Sequence, residues 1–116
     1  MDARLEKALE FSKFRHSQYL EKRRLQEKLQ ADLTIAHNGG LFTIDRTLIV
    51  FLNQVTPEVG TGSITLLDNN LVPVLIADLV AFRRDVLDKY TKVIAQYYVD
   101  YERLRRARTP QALFDL

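Results

Sequence analysis

The stretch YYVDYERLRRAR, residues 97–108, holds three tyrosines and then four arginines within six positions. Guanidinium groups contact phosphates and phenol rings stack on bases, so this composition suits single-stranded nucleic acid. Arg103, Arg105, Arg106, Arg108 and Tyr98 are the candidate contacts. The competing reading is structural. Cations complement the negative end of a helix dipole and keep an exposed tip in water. A second chemistry-bearing segment is TPQALFDL, residues 109–116. Gln111, Leu113, Phe114 and Leu116 form either a docking peptide for a partner's pocket or a tail tucked onto the body.

Elsewhere the chain offers little for catalysis. His16 and His37 are its two histidines, and neither has a second histidine four residues away. There is no cysteine, so disulfides and thiolate metal sites are excluded. Ser12, Ser17 and Ser63 lack the context of a nucleophile elbow. Gly60-Thr61-Gly62-Ser63 is not followed by the Lys-Ser/Thr of a phosphate loop. Asp68-Asn69-Asn70 lacks the distal glutamate of a calcium loop. Asp85 and Asp88 share their segment with Arg84 and Lys89, as on a solvated helix face. The expectation is a non-enzymatic protein with no cofactor, no metal and no catalytic residue.

Long helices must position these residues. Residues 3–36 contain no Gly or Pro and are rich in Leu, Glu, Lys, Gln and Arg, which predicts one long helix. At about 100° per residue, Phe11, Phe14, Leu25, Leu29, Leu33 and Ala36 share a stripe that Leu5, Ala8 and Tyr19 widen. A strict heptad fails, because Arg15, Gln18 and Lys22 would enter the seam. Asn38-Gly39-Gly40 is read as the end of this helix. LFTI, residues 41–44, reads as a strand, and Asp45 as the cap of a short apolar helix over residues 47–55. That helix is expected to stop at Thr56-Pro57. ITLL and LVPVLI around Asp68-Asn69-Asn70 read as a β-hairpin with Pro73 on an edge. Asp78 opens a last helix to about residue 108, whose stripe is Leu79, Phe82, Val86, Tyr90, Val93, Tyr97, Tyr101 and Leu104.

The fold class expected is α+β, mainly helical, in a single domain over residues 1–116. Two long terminal helices pair antiparallel, and residues 41–76 form a small cap. Two such helices offer more apolar face than the cap covers, which predicts a homo-oligomer. The self-association candidates are Phe11, Phe14, Leu25, Val86, Tyr90, Val93, Tyr97, Tyr101 and Leu104. The net charge of +2 is unevenly spread. Residues 4–28 hold eight Lys/Arg against four Glu, whereas residues 29–82 hold one Arg against five acids. No apolar run is long enough for a membrane span. The charged start, MDARLEKALEFSKFR, lacks the apolar stretch of a secretion signal. A cytoplasmic protein without a membrane partner is expected.

NGGLFTIDRTLIVFLN, LLDNNLVPVLI and FRRDVLDKYTKVIAQYYVDYERLRRART together resemble small proteins of large tailed phages, especially those of marine cyanobacteria. The resemblance spans most of residues 36–109 and implies a phage accessory or assembly protein in the host cytoplasm, without supplying functional residues. Two long terminal helices with hairpin material between them also look like prefoldin subunits in architecture. QALFDL is similar to the tails by which replication and transcription proteins dock on sliding clamps. Two functions are therefore expected. One is a protein-interaction or assembly protein that self-associates through its helices and contacts another protein. The other is a nucleic-acid-binding accessory factor for replication, recombination or transcription.

Overall fold

The structure, a computed structural model, describes residues 2–60 and 62–107. The fold is mainly helical α+β, with two long terminal helices and two small antiparallel hairpins. Helix α1 spans Ala3–Asp32, about 45 Å at 1.5 Å per residue. It stops short of the expected residue 36. Residues Thr34–His37 are instead strand β1, paired antiparallel with β2, Gly40–Thr43. His37 lies opposite Gly40, so Asn38 and Gly39 alone make the turn. Their φ values, 48° and 84°, are both positive, as a two-residue turn matching strand twist demands. Asn38-Gly39-Gly40 is thus a hairpin turn and not a helix end. The ladder continues past the strands through the Ile44 N–H, which donates to the Leu33 carbonyl at 2.7 Å.

Asp45 caps the next helix as expected, its side chain accepting from the Leu48 N–H at 2.8 Å. This helix, α2, runs over Arg46–Val59 and passes through Pro57. Proline in the last turn removes one backbone bond, to the Asn53 carbonyl, and only two further residues follow it. The terminator is Gly60, at φ 65°, whose N–H returns to the Thr56 carbonyl at 2.7 Å.

Strands β3, Ile64–Leu67, and β4, Pro73–Ile76, form the second hairpin. Pro73 opens its strand, a position that tolerates a missing N–H. In the connecting loop the positive φ falls on Leu71, at 60°, and not on the asparagines. Asp78 then caps α3, Leu79–Arg106, by accepting from the Ala81 N–H at 3.1 Å.

The chain divides into two compact units, Met1–Leu29 with Ala95–Leu116, and Gln30–Ile94. The first is a helical unit and the second a mixed unit holding both hairpins and α2. The core of the mixed unit is Phe42, Ile44, Leu52, Val74, Ile76, Leu79, Phe82 and Val86. Phe42 meets Phe82 edge to face with centroids 5.4 Å apart, and His37 tilts over the same ring at 4.8 Å.

Asp68 and Asn69 join the two hairpins. One Asp68 carboxylate oxygen accepts from the Asn70 and Val72 N–H groups at 2.8 and 2.9 Å, and the other from the Leu41 N–H at 3.1 Å. Asn69 continues along β2. Its N–H donates to the Leu41 carbonyl at 2.8 Å, and its side-chain carbonyl accepts from the Thr43 N–H at 3.1 Å. The free edge of β2 is thereby satisfied by a loop that imitates a third strand. On the other side, the Asn38 side chain donates to the Leu75 carbonyl at 3.0 Å. Gly40 permits the close approach. A Cβ there would sit 2.5 Å from Val74 Cγ2 and 3.3 Å from the Asp68 Cβ.

Two outcomes are expected. Gly40→Ala pushes against a buried, branched valine and costs about 1–3 kcal/mol in chemical denaturation. Asp68 is held below the ordinary carboxylate range, chiefly by the Val72 N–H, with burial opposing and the Leu41 and Asn70 N–H groups assisting. A depressed folded-state value means that its stabilisation is complete above the unfolded value and fades as pH falls towards the folded one. Melting scans at neutral pH show Asp68→Asn less stable than the parent protein, and the gap narrows below ~pH 4.

Candidate functional site

The residues singled out for nucleic acid and for self-association fall mostly in the helical unit, and the α3 stripe explains why. Its inward positions follow the expected three-and-four spacing. Leu79, Phe82 and Val86 are wholly buried in the mixed unit, with Tyr90 packed against them. Tyr97 and Leu104 serve the helical unit, where Leu25, Leu104 and Ala107 form a small core flanked by Phe14 and Tyr97. Contacts step down α1 as they step up α3. The Lys28 ammonium lies 3.8 Å from the Asp100 carboxylate, and the Lys22 ammonium lies 5.9 Å from the Tyr101 ring centre. The pairing is antiparallel, as expected.

Along one flank of this seam runs an open hollow of about 420 Å³. Its walls carry the cations Arg15, Lys22 and Arg105 and the rings of Tyr19 and Tyr101, with Gln18 beside them and Leu104 at its base. Among the described residues no acidic side chain lines it. The Arg105 guanidinium lies 5.4 Å from the Tyr101 ring centre, and Lys22 is the second cation on that ring. Tyr101 also leans on Tyr97 at 5.8 Å. Arg105 is held at 3.3 Å by Glu102 in an i,i+3 pair whose arginine is exposed and whose carboxylate is largely buried, 23% exposed. Among the described residues, Arg15 and Lys22 have no ion-pair partner.

The hollow joins Arg105 from the arginine cluster to Arg15 and Lys22, which had been read only as part of a basic helix. Arg103 and Arg106 are exposed in the last turn of α3 and do not line it. Tyr98 is 67% exposed and also stands apart from the hollow. Arg108 and the proposed docking residues Gln111, Leu113, Phe114 and Leu116 lie outside the described residues. A legible signal for the groove existed. Arg15 and Lys22 are seven residues apart with Tyr19 between them, which places all three on one side of a helix.

The self-association set divides. Leu25, Val86 and Leu104 are buried within the chain and have no surface to offer a second copy, which corrects their assignment. The stripe that they belong to is satisfied by the chain's own packing. Phe14, Tyr90, Val93, Tyr97 and Tyr101 are half-buried, and Phe11 remains 62% exposed under the Arg15 guanidinium. A face that the spacing had treated as the edge of a broad stripe turns out to be separate. At about 100° per residue, Leu5, Leu9, Tyr19 and Leu20 share one side of α1, roughly half a turn from Phe14 and Leu25. They are 51%, 44%, 59% and 49% exposed.

A second hollow, of about 310 Å³, lies on the mixed unit and is lined partly by Asp45, Asp68 and Asn69. All three already use their polar atoms, in the α2 cap and on the β2 edge. Among the described residues no group of three or more His, Cys, Asp and Glu side chains is placed to hold a metal ion. No described helix is long and apolar enough to cross a membrane. The class defined at this point is a mainly helical α+β protein with a basic, tyrosine-lined groove. The chain matches no known protein family, no curated protein and no solved structure.

The burial of Val86 yields a test. Val86→Ala removes two buried methyl groups and lowers stability by about 2 kcal/mol in urea titrations. Because the side chain faces the interior, the molar mass in solution is the same for the variant and the parent.

Proposed function

We propose that the chain is a non-enzymatic accessory or assembly protein that works by presenting surfaces and self-associates through its helices. The phage resemblance in its sequence points to the same kind of protein. One observation carries the reading. Helix α1 shows an apolar face to solvent, through Leu5, Leu9, Tyr19 and Leu20, on the side away from its own packing seam. A helix apolar on two sides is suited to two partners. One is α3 of the same chain. A second copy supplies an identical face and closes a two-fold pair.

The magnitudes set the expected strength. Complete burial of a large apolar side chain contributes roughly 1.5–3 kcal/mol, and about half of that remains available to a half-exposed one. Four such side chains from each copy amount to roughly 8 kcal/mol, against an association cost of at least about 4. The net, at most about 4 kcal/mol, corresponds to a dimer that forms at about millimolar concentration. Phe11 and Tyr98 strengthen it where they reach the partner.

Sedimentation equilibrium across a hundredfold range of concentration tests this. The average mass is expected to climb with concentration and to rise further in salt, because residues 1–29 and 95–116 carry twelve Lys/Arg against eight Asp/Glu. Leu9→Glu combined with Leu20→Glu holds the mass at that of the monomer with unchanged helical circular dichroism. A parent protein that stays monomeric at about millimolar concentration sinks the reading.

A further inference from the structure

We infer that the groove between Arg15 and Lys22 of α1 and Tyr101 and Arg105 of α3 binds single-stranded nucleic acid, with phosphates on the cations and a base on the tyrosines. The inference starts from what the groove costs the protein. Arg15, Lys22 and Arg105 share one hollow, with no acid in its lining among the described residues. Like charges brought together on a surface repel, and nothing in the packing seam requires them there. The seam's own packing is apolar, Leu25, Leu104 and Ala107 against Phe14 and Tyr97, and uses none of these charges. A ligand with closely spaced negative charge relieves that repulsion.

The spacing fits a strand. Arg15 and Lys22 lie seven residues apart, about 10 Å along the helix axis. That length covers roughly three nucleotides at 3.4 Å each, so about three phosphates meet three cations. Arg105, itself 67% exposed, leaves its carboxylate partner, Glu102, to join them. The rings decide between classes of polyanion. An acidic peptide needs cations alone. Here two tyrosines stand with the cations, Tyr101 with Lys22 and Arg105 over its ring and Tyr19 59% exposed. A base slides onto such a ring with little sequence preference. Gln18 adds a side-chain amide that can both donate to and accept from a base edge.

This inference shares only Tyr19 with self-association, and salt separates the two. Added salt strengthens contact between two basic apolar faces and weakens phosphate binding. The test is fluorescence anisotropy of the full chain with a labelled oligothymidylate of about fifteen nucleotides, spanning one binding site. Affinity is expected to fall about 20-fold between 50 and 200 mM salt, which is the slope of about −2 that three phosphate contacts give. Arg15→Gln with Lys22→Gln flattens the slope to about −0.7 and weakens binding at least about tenfold at 50 mM salt. Tyr101→Leu keeps an apolar side chain against Tyr97 and leaves the slope intact while costing about fivefold or more in affinity. Arg103→Gln with Arg106→Gln, outside the groove, has the smaller effect. Leu9→Glu with Leu20→Glu binds like the parent, so a failure of self-association does not touch this result.

Three outcomes overturn the inference. One is binding without a salt slope. Another is an Arg103/Arg106 variant as impaired as the Arg15/Lys22 variant, which makes the helix end and not the groove the contact. The last is polyglutamate competing as well as the oligonucleotide at equal charge, which makes the groove a site for acidic peptides.

Discussion

Two four-residue strands do not make a stable ribbon in water, and the mixed unit contains two such ribbons side by side. What makes them one core is the loop that starts at Asp68. Its carboxylate gathers N–H groups from its own loop and from β2, and Asn69 continues the ladder to Thr43. Without that junction Phe42 and Val74, on different hairpins, have no reason to share a core with Phe82. The glycine at position 40 belongs to the same constraint, because hydrogen bonds of 3.1 Å to the edge of β2 need the backbones close. The positive φ at Leu71 is then a consequence. The loop is shaped by its carboxylate, and the residue in the left-handed position is whichever one the closure puts there.

The helical unit follows a different logic. Among the described residues its core is Leu25, Leu104 and Ala107, and much of α1 is exposed. Such a unit resembles a short two-helix coil, whose stability comes from a narrow seam and whose outer faces are free for contacts. Its seam is flanked by tyrosines and cations on one side, and its first helix carries leucines on the side opposite the seam. The two proposals use different faces of α1, with Tyr19 at the border between them.

Much of this was legible from residue order. The α3 stripe from Leu79 to Leu104 is local information, since a 3.6-residue period needs no partner to be seen. The caps at Asp45 and Asp78 are equally local. Asn38-Gly39 was misread for a specific reason. A helix end and a two-residue hairpin both ask for positive φ, and the deciding signal was the pair of β-branched residues Thr34 and Ile35 just before it. Pro57 was misread because a proline near a helix end costs one hydrogen bond, whereas in mid-helix it costs the helix.

By itself, then, the sequence determined the three helices, the second hairpin, the caps at Asp45 and Asp78 and the absence of cysteine, and it missed strand β1. Tertiary structure decided which apolar residues were spent and which were left over. Leu25 and Leu104 looked no different from Leu9 and Leu20 in composition or propensity. Only the antiparallel pairing of α1 with α3 buried the first two and exposed the others. The groove arose in the same way. Lys22 and Tyr101 are far apart in sequence, and a cation comes to rest over a ring only when two helices are laid flank to flank.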